Sequence, residues 1–204
     1  MIDPIRPEDI LFSEQGHIYY VRGEAWTSVT TVLDAQLNRG FANVDPEVLR
    51  RAREWGTAVH DLVQFHEDGD LDVDALAPEL REVLRQYSLA KVHYEWTALA
   101  WEMPVAHCLH RYAGRLDLIV QGPGYKALVD IKSGLLLPSV RPQTAAYLEA
   151  YQSMKLPGKH KITRRYVLQL ERGTYRVRRL QDSQDFSIFV SCLNVMRFME
   201  SAKV

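Results

Sequence analysis

Gly114-Arg115-Leu116-Asp117-Leu118-Ile119-Val120-Gln121-Gly122-Pro123-Gly124-Tyr125-Lys126-Ala127-Leu128-Val129-Asp130-Ile131-Lys132-Ser133-Gly134 is the stretch on which the fold turns. Leu116 to Val120 and Ala127 to Ile131 are short apolar, β-branched runs, and Gln121-Gly122-Pro123-Gly124 between them is dense in turn formers. The two runs read as neighbouring antiparallel strands. Side chains alternate faces along a strand, so Asp130 and Lys132 share one face while Val129 and Ile131 point to the other. Arg115, beside Leu116, is assigned to the face away from the site. A carboxylate and an ammonium on one strand face suit a strand-end salt bridge as readily as a site, and the surrounding sequence decides between them.

Three features supply that context. Gly114, three residues before Asp117, lets the backbone bend or be approached closely as the strand enters the site. Gln143-Thr144-Ala145-Ala146-Tyr147 follows Pro138 and Pro142 and reads as the opening of a helix to Met154, on which Gln143 and Tyr147 share a face. Far upstream, Gly56-Thr57-Ala58-Val59-His60 lies in a helical pattern opened by Asp45-Pro46-Glu47 and continuing through Val59, Leu62 and Val63 to about His66. Each has a plain reading on its own: a solvated amide, a core ring with its hydroxyl at the surface, an exposed histidine.

In this order, the helical His, Gly-Arg-Leu-Asp, Asp-Ile-Lys-Ser-Gly and Gln-Thr-Ala-Ala-Tyr resemble the PD-(D/E)XK nuclease superfamily, specifically its RecB-like exonuclease branch. The resemblance spans His60 to Tyr147, and Ser28-Val29-Thr30-Thr31-Val32-Leu33 is similar to an opening seen in phage-type members. It implies an α/β (α+β) fold with a restriction-endonuclease-like central mixed sheet flanked by helices. It also implies a metal-dependent deoxyribonuclease, an exonuclease of recombination, repair or phage DNA processing, acting on single- or double-stranded DNA with free ends. Magnesium or manganese suits a set of oxygen ligands with one imidazole. By this resemblance Asp117 and Asp130 are catalytic acids and metal ligands, the Ile131 backbone carbonyl adds an oxygen and His60 a nitrogen. Lys132 positions or deprotonates the attacking water and stabilises developing negative charge. Gln143 and Tyr147 hold phosphate near the cut, with the tyrosine placed to stack by the DNA end. Glu102 has two open readings, a member of the metal shell or an edge-strand glutamate. A flap or other structure-specific endonuclease is the alternative within the class. A catalytically silent nucleic-acid-binding module is the alternative outside it, which the intact Asp117, Asp130 and Lys132 argue against.

Composition agrees with a globular enzyme. The 204 residues suit one nuclease domain, mainly helical to about residue 98 and sheet-forming from 99 to 204, and 47% of them are hydrophobic. No apolar run approaches the ~18 residues of a membrane span, and the amino terminus, Met1-Ile2-Asp3-Pro4-Ile5-Arg6, carries no basic-then-apolar signal. The expectation is a cytoplasmic protein of a bacterial or phage-infected cell with no membrane partner. Two cysteines, Cys108 and Cys192, are too few for a four-cysteine iron–sulfur cluster, and His107, Cys108 and His110 lack the paired spacing of a zinc site.

The net charge of −1 hides an uneven distribution. From Lys155 to Arg179 nine basic residues face the single acid Glu171. Within that segment Ile162 to Leu170 and Thr174 to Leu180, turning at Glu171-Arg172-Gly173, read as a β-hairpin whose Arg164, Arg165, Arg176 and Arg178 are candidate phosphate contacts. A solvated hairpin face is the competing reading. Further helices are expected from Ala77 to Tyr94 and Gln184 to Ser201, and a strand near Leu99 to Val105. Trp55, five residues before His60, stands apart from the other three tryptophans as a base-stacking candidate.

Overall fold

A computed structural model describes residues 5–38, 44–154 and 156–202. Lys155, counted in the basic segment, and residues 1–4 of the amino terminus lie outside them. Over the described residues the chain forms a mixed α/β structure, a central mixed sheet of eight strands flanked by five helices.

Three strands precede the helices: β1 (Ile10–Ser13), β2 (Ile18–Val21) and β3 (Glu24–Ser28), paired antiparallel. These strands were not expected from the sequence, although helix still outweighs strand in the amino-terminal part. At four or five residues each, the strands are too short to show a period, but their turn chemistry is local. Val21 pairs with Glu24 across Arg22-Gly23, both with positive φ (51° and 82°), the arrangement of a two-residue type I′ hairpin. α1 (Val29–Gln36) follows at once, its Thr31 N–H capped by the Ser28 hydroxyl at 3.0 Å.

The 23-residue α2 (Pro46–Asp68) carries His60. Asp45 caps it by accepting from Glu47 N at 2.8 Å, and Gly69 ends it in the left-handed region at φ 78°. α3 (Pro78–His93) packs beside it. β4 (Thr97–His107), β5 (Tyr112–Gly122) and β6 (Tyr125–Lys132) then form the antiparallel centre expected from the sequence. α4 (Val140–Ser153) starts three residues earlier than its pattern indicated. Pro142 falls in its first turn, where the missing N–H has no helical partner in any case. β7 (Arg164–Glu171) runs parallel to β6 and forms the hairpin with β8 (Thr174–Leu180), and α5 (Asp185–Ser201) closes the described chain.

Two apolar cores lie on opposite faces of the sheet. Leu118, Val129 and Leu168 pack with α2 and α3, while Ile119 and Leu128 pack with α1, α4 and α5. No helix of the described residues is long and apolar enough to cross a membrane.

Between the two cores, β5 changes partners. Its outer half pairs with β6 from Leu118/Val129 to Gly122/Tyr125, and its inner end pairs with β3 at Tyr112 and Ala113. Residues 114–117 therefore keep a ladder to β4 while β6 diverges from them. That interval is the Gly-Arg-Leu-Asp segment, and the site is built there.

Candidate functional site

Past the end of the β5–β6 ladder the Ile131 N–H needs a new acceptor, and it donates to Asp117 Oδ2 at 2.6 Å. A carboxylate thus replaces a strand carbonyl, which holds Asp117 in one orientation. Its other oxygen, Oδ1, lies 3.8 Å from His60 Nδ1, and the same nitrogen is 3.2 Å from Glu102 Oε1. One ligand atom from each of His60, Glu102 and Asp117 fits within 4.8 Å of the others. Neighbouring donors around an ion bound at about 2.0–2.3 Å stand roughly 3–4 Å apart, so the spacing suits a shared cation.

Trp101 helps bring these elements into line: its indole N–H donates to Asp68 Oδ1 at 2.8 Å, tying β4 to the end of α2. Glu102 itself has φ 44°, in the left-handed region that a side-chain-bearing residue enters at a cost of about 1–2 kcal/mol. Strained backbone of this kind recurs at functional sites, and here it carries an acid of the cluster.

Asp130 lies deeper. Its side chain is fully buried and neither oxygen accepts a well-aligned hydrogen bond, although Lys132 Nζ stands 2.6 Å from Oδ2. Burial, opposed by Lys132 and reinforced by the Asp117 charge, raises its pKa to about 6. Asp117 is also raised by burial, against the pull of His60 and Lys132. For His60, burial disfavours the imidazolium, but Asp117 and Glu102 outweigh it and hold the pKa up at about 9. Burial likewise opposes the Lys132 ammonium, and Asp130 and Asp117 reverse that, leaving its pKa above the ordinary value. Burial makes both acids resist ionisation, and Asp130 in addition has neither oxygen in a well-aligned hydrogen bond. His60, Glu102 and Asp117 offer two carboxylates and one imidazole that could hold a metal ion.

Of the residues expected to hold the metal, His60 and Asp117 come together directly and Glu102 joins them. Asp130 stands behind Asp117, with Lys132 at its oxygen. The Ile131 carbonyl lies 3.5 Å from Lys132 Nζ. Gln143 and Tyr147 share a face and are joined by a hydrogen bond from Gln143 Nε2 to Tyr147 Oη at 3.3 Å. The Tyr147 hydroxyl is close enough to the carboxylates that, after burial and Tyr19, the Asp117 charge helps push its pKa well up. Its ring is only 4% exposed and packs against Gly114, so the expectation that it stacks by a DNA end does not fit.

Two residues at the site escaped the sequence reading. Arg115 Nη1 lies 3.6 Å from Glu102 Oε2 and its guanidinium sits 5.5 Å from the Phe12 ring centroid, so it belongs to the site and not to the opposite face. Tyr19 of β2 is buried nearby; burial, eased by Arg115 and reinforced by Glu102 and Asp117, pushes its phenol up to about 12. The residue spacing that links Arg115 to Asp117, i to i+2, was the available signal for the first. For Tyr19 there was none short of the three-dimensional fold.

The basic hairpin is only partly a surface. Arg165 is buried: it donates to Asp185 Oδ2 at 2.8 Å and to the Thr144 hydroxyl at 3.0 Å, which corrects its assignment as a phosphate contact. Arg164 lies over the Tyr125 ring, 3.7 Å from its centroid. Arg176 and Arg178 are exposed, the former within 3.4 Å of Glu171.

No family model and no curated protein matches the sequence. A solved structure titled "Crystal structure of SSO0001" superposes with a TM-score of 0.39 at 14% identity, covering 83% of this chain and 85% of that one. A likeness at that level leaves the function to the site itself.

Proposed function

We propose that the chain is a metal-dependent nuclease that hydrolyses phosphodiester bonds in DNA, acting as an exonuclease. The observation that carries this reading is the convergence of His60, Glu102 and Asp117 beside a buried, under-satisfied Asp130 that has Lys132 at 2.6 Å. The ordered resemblance to RecB-like nucleases supports it.

His60, Glu102 and Asp117 would hold a magnesium or manganese ion, with Asp130 behind them. Such an ion, when bound, supplies a more acidic water and draws charge from the phosphate oxygens. Asp117 keeps its orientation through the Ile131 N–H, so its free oxygen faces His60 throughout. Lys132 stands where it orients the attacking water and offsets negative charge gathering on the phosphate. Gln143 and the Tyr147 hydroxyl, hydrogen-bonded to each other on α4, would position the phosphate. Water adds across the P–O bond, leaving a phosphomonoester on one fragment and a hydroxyl on the other.

End-labelled linear DNA and a closed circle, incubated with magnesium, manganese or chelator, test this in one gel. Linear DNA is expected to be shortened with either metal and spared with chelator, while the circle survives. Asp117→Asn is expected to abolish cutting while the amide oxygen still accepts from Ile131 N–H, so that the fold is kept. Intact linear DNA under both metals overturns the reading, and a cut circle converts it to an endonuclease.

A further inference from the structure

A groove of about 610 Å³ opens directly from the candidate centre. Trp55, Gly56 and His60 of α2 form one wall, and Lys132, Ser133 and the loop to Leu137 form the other. Trp55 is half-buried and Arg53, two residues before it, is exposed at the rim. The tip of the basic hairpin comes beside Trp55, with the Arg172 guanidinium 5.7 Å from the centroid of a Trp55 ring. Asp34 is the one carboxylate among the lining residues outside the metal cluster's neighbours, and Asn38 donates to it at 2.6 Å.

An indole flanked by cations, in a slot that ends at His60 and Lys132, is matched to a particular form of nucleic acid. In a duplex the base faces are covered by their neighbours, and only phosphates and groove edges meet a protein. In a single strand the faces are free, and stacking on an aromatic ring is tolerant of sequence. The volume lies in the 300–1,000 Å³ range of sites that enclose small ligands, room for one or two splayed nucleotides. We infer that this groove receives an unpaired DNA end, a base stacking on Trp55 and its phosphates passing Arg53 and Arg172 toward Lys132. The choice of ligand rests on the nuclease reading; the groove and its lining do not.

The test is fluorescence anisotropy in chelator, where nothing is cut, with a labelled single strand and the same sequence as a blunt duplex. Wild-type protein is expected to bind the strand more tightly than the duplex. Trp55→Ala is expected to weaken strand binding about 5- to 150-fold, equivalent to about 1–3 kcal/mol, and to leave duplex binding unchanged. Trp55→Phe, which keeps a ring, is expected to retain most of the affinity. Arg53→Ala, a change at an exposed position, is expected to lower the slope of log affinity against log salt by about 0.7, and it serves as the variant that does not disturb packing. Strand binding by Trp55→Ala equal to wild type in a folded protein overturns the inference, as does a duplex held as tightly as the strand. Adding manganese to the same samples separates the two readings. Cutting that ignores Trp55 and Arg53 sinks the groove and spares the nuclease, whereas Trp55-dependent binding without cutting sinks the nuclease and spares the groove.

Discussion

Gly114→Ala is a single methyl added at the gap in the β5 ladder, and its effect can be worked from contacts. A Cβ at this position falls 2.5 Å from Tyr147 Cε1, 3.2 Å from Cδ1 and 3.4 Å from Val29 Cγ2. Carbon atoms settle at about 3.5–4.0 Å, so the ring must retreat by roughly 1 Å or the strand must move. Neither is free to do so: Tyr147 and Val29 are 4% and 0% exposed, inside a core that also holds Ala146 and Ala150. Overpacking of this kind costs about 1–3 kcal/mol. For a chain of this size each kcal/mol lowers Tm by about 2–4 °C, giving an expected fall of about 2–12 °C. The shift also drags the Tyr147 hydroxyl from Gln143 and the carboxylates, so DNA cleavage falls with stability. Tyr147→Leu removes Cε1, and in that background the alanine should be tolerated better. Thermal melts of the four proteins then give a coupling of about 0.5–3 kcal/mol. Melting of Gly114→Ala within about 1 °C of wild type, or strict additivity with Tyr147→Leu, refutes the reasoning.

Removal of the Arg165 side chain leaves Asp185, whose side chain is 1% exposed, short of its buried partner. The loss is expected at the lower end of the 3–5 kcal/mol typical of a broken buried pair, because Arg141 Nε still donates to Asp185 at 3.0 Å. Chemical denaturation measures it, with exposed Arg178→Ala as the control, expected within about 0.5 kcal/mol of wild type. At position 102 the usual order of glycine and alanine should invert. In an ordinary strand glycine is less stable by about 0.5–1 kcal/mol, but at φ 44° Glu102→Gly should melt above Glu102→Ala, and both should lose cleavage. The normal order, with alanine the more stable, would show that the strained backbone at Glu102 is not real in solution.

Where sequence and structure agree, local chemistry is sufficient. The β5–β6 and β7–β8 hairpins have apolar strands separated by turn residues, and the cap Asp45-Pro46-Glu47 starts α2 where it was expected to. The amino-terminal strands were missed because β1 and β2, at four residues each, carry too few alternations to distinguish from a loop. Their hairpin turn, Arg22-Gly23, with Arg rather than Asn or Asp before the glycine, lacked the usual turn signal. Arg165 could not be separated from its neighbours by pattern. Its partner Asp185 lies twenty positions on, in another element, and only the packing of α5 against α4 decides that this arginine turns inward.

The candidate site was half legible for a related reason. Motif order pointed to His60, Asp117, Asp130 and Lys132, because each is set by one strand or one helix. What spacing does not encode is the divergence of β6 from β5 at residues 114–117, and this divergence gives the members their separate tasks. It leaves Ile131 N–H to be satisfied by Asp117, which aims the free oxygen at His60. It opens room beside Gly114 for the Tyr147 ring. On the far strand it leaves Glu102 facing His60 and Arg115 at once, with a backbone conformation that costs stability. Glu102 therefore changes from an edge-strand acid to the third corner of the cluster, while Asp130 becomes the acid that Lys132 and the buried interior govern. A cation at that corner would offset the like charges of Glu102 and Asp117, both of which face His60.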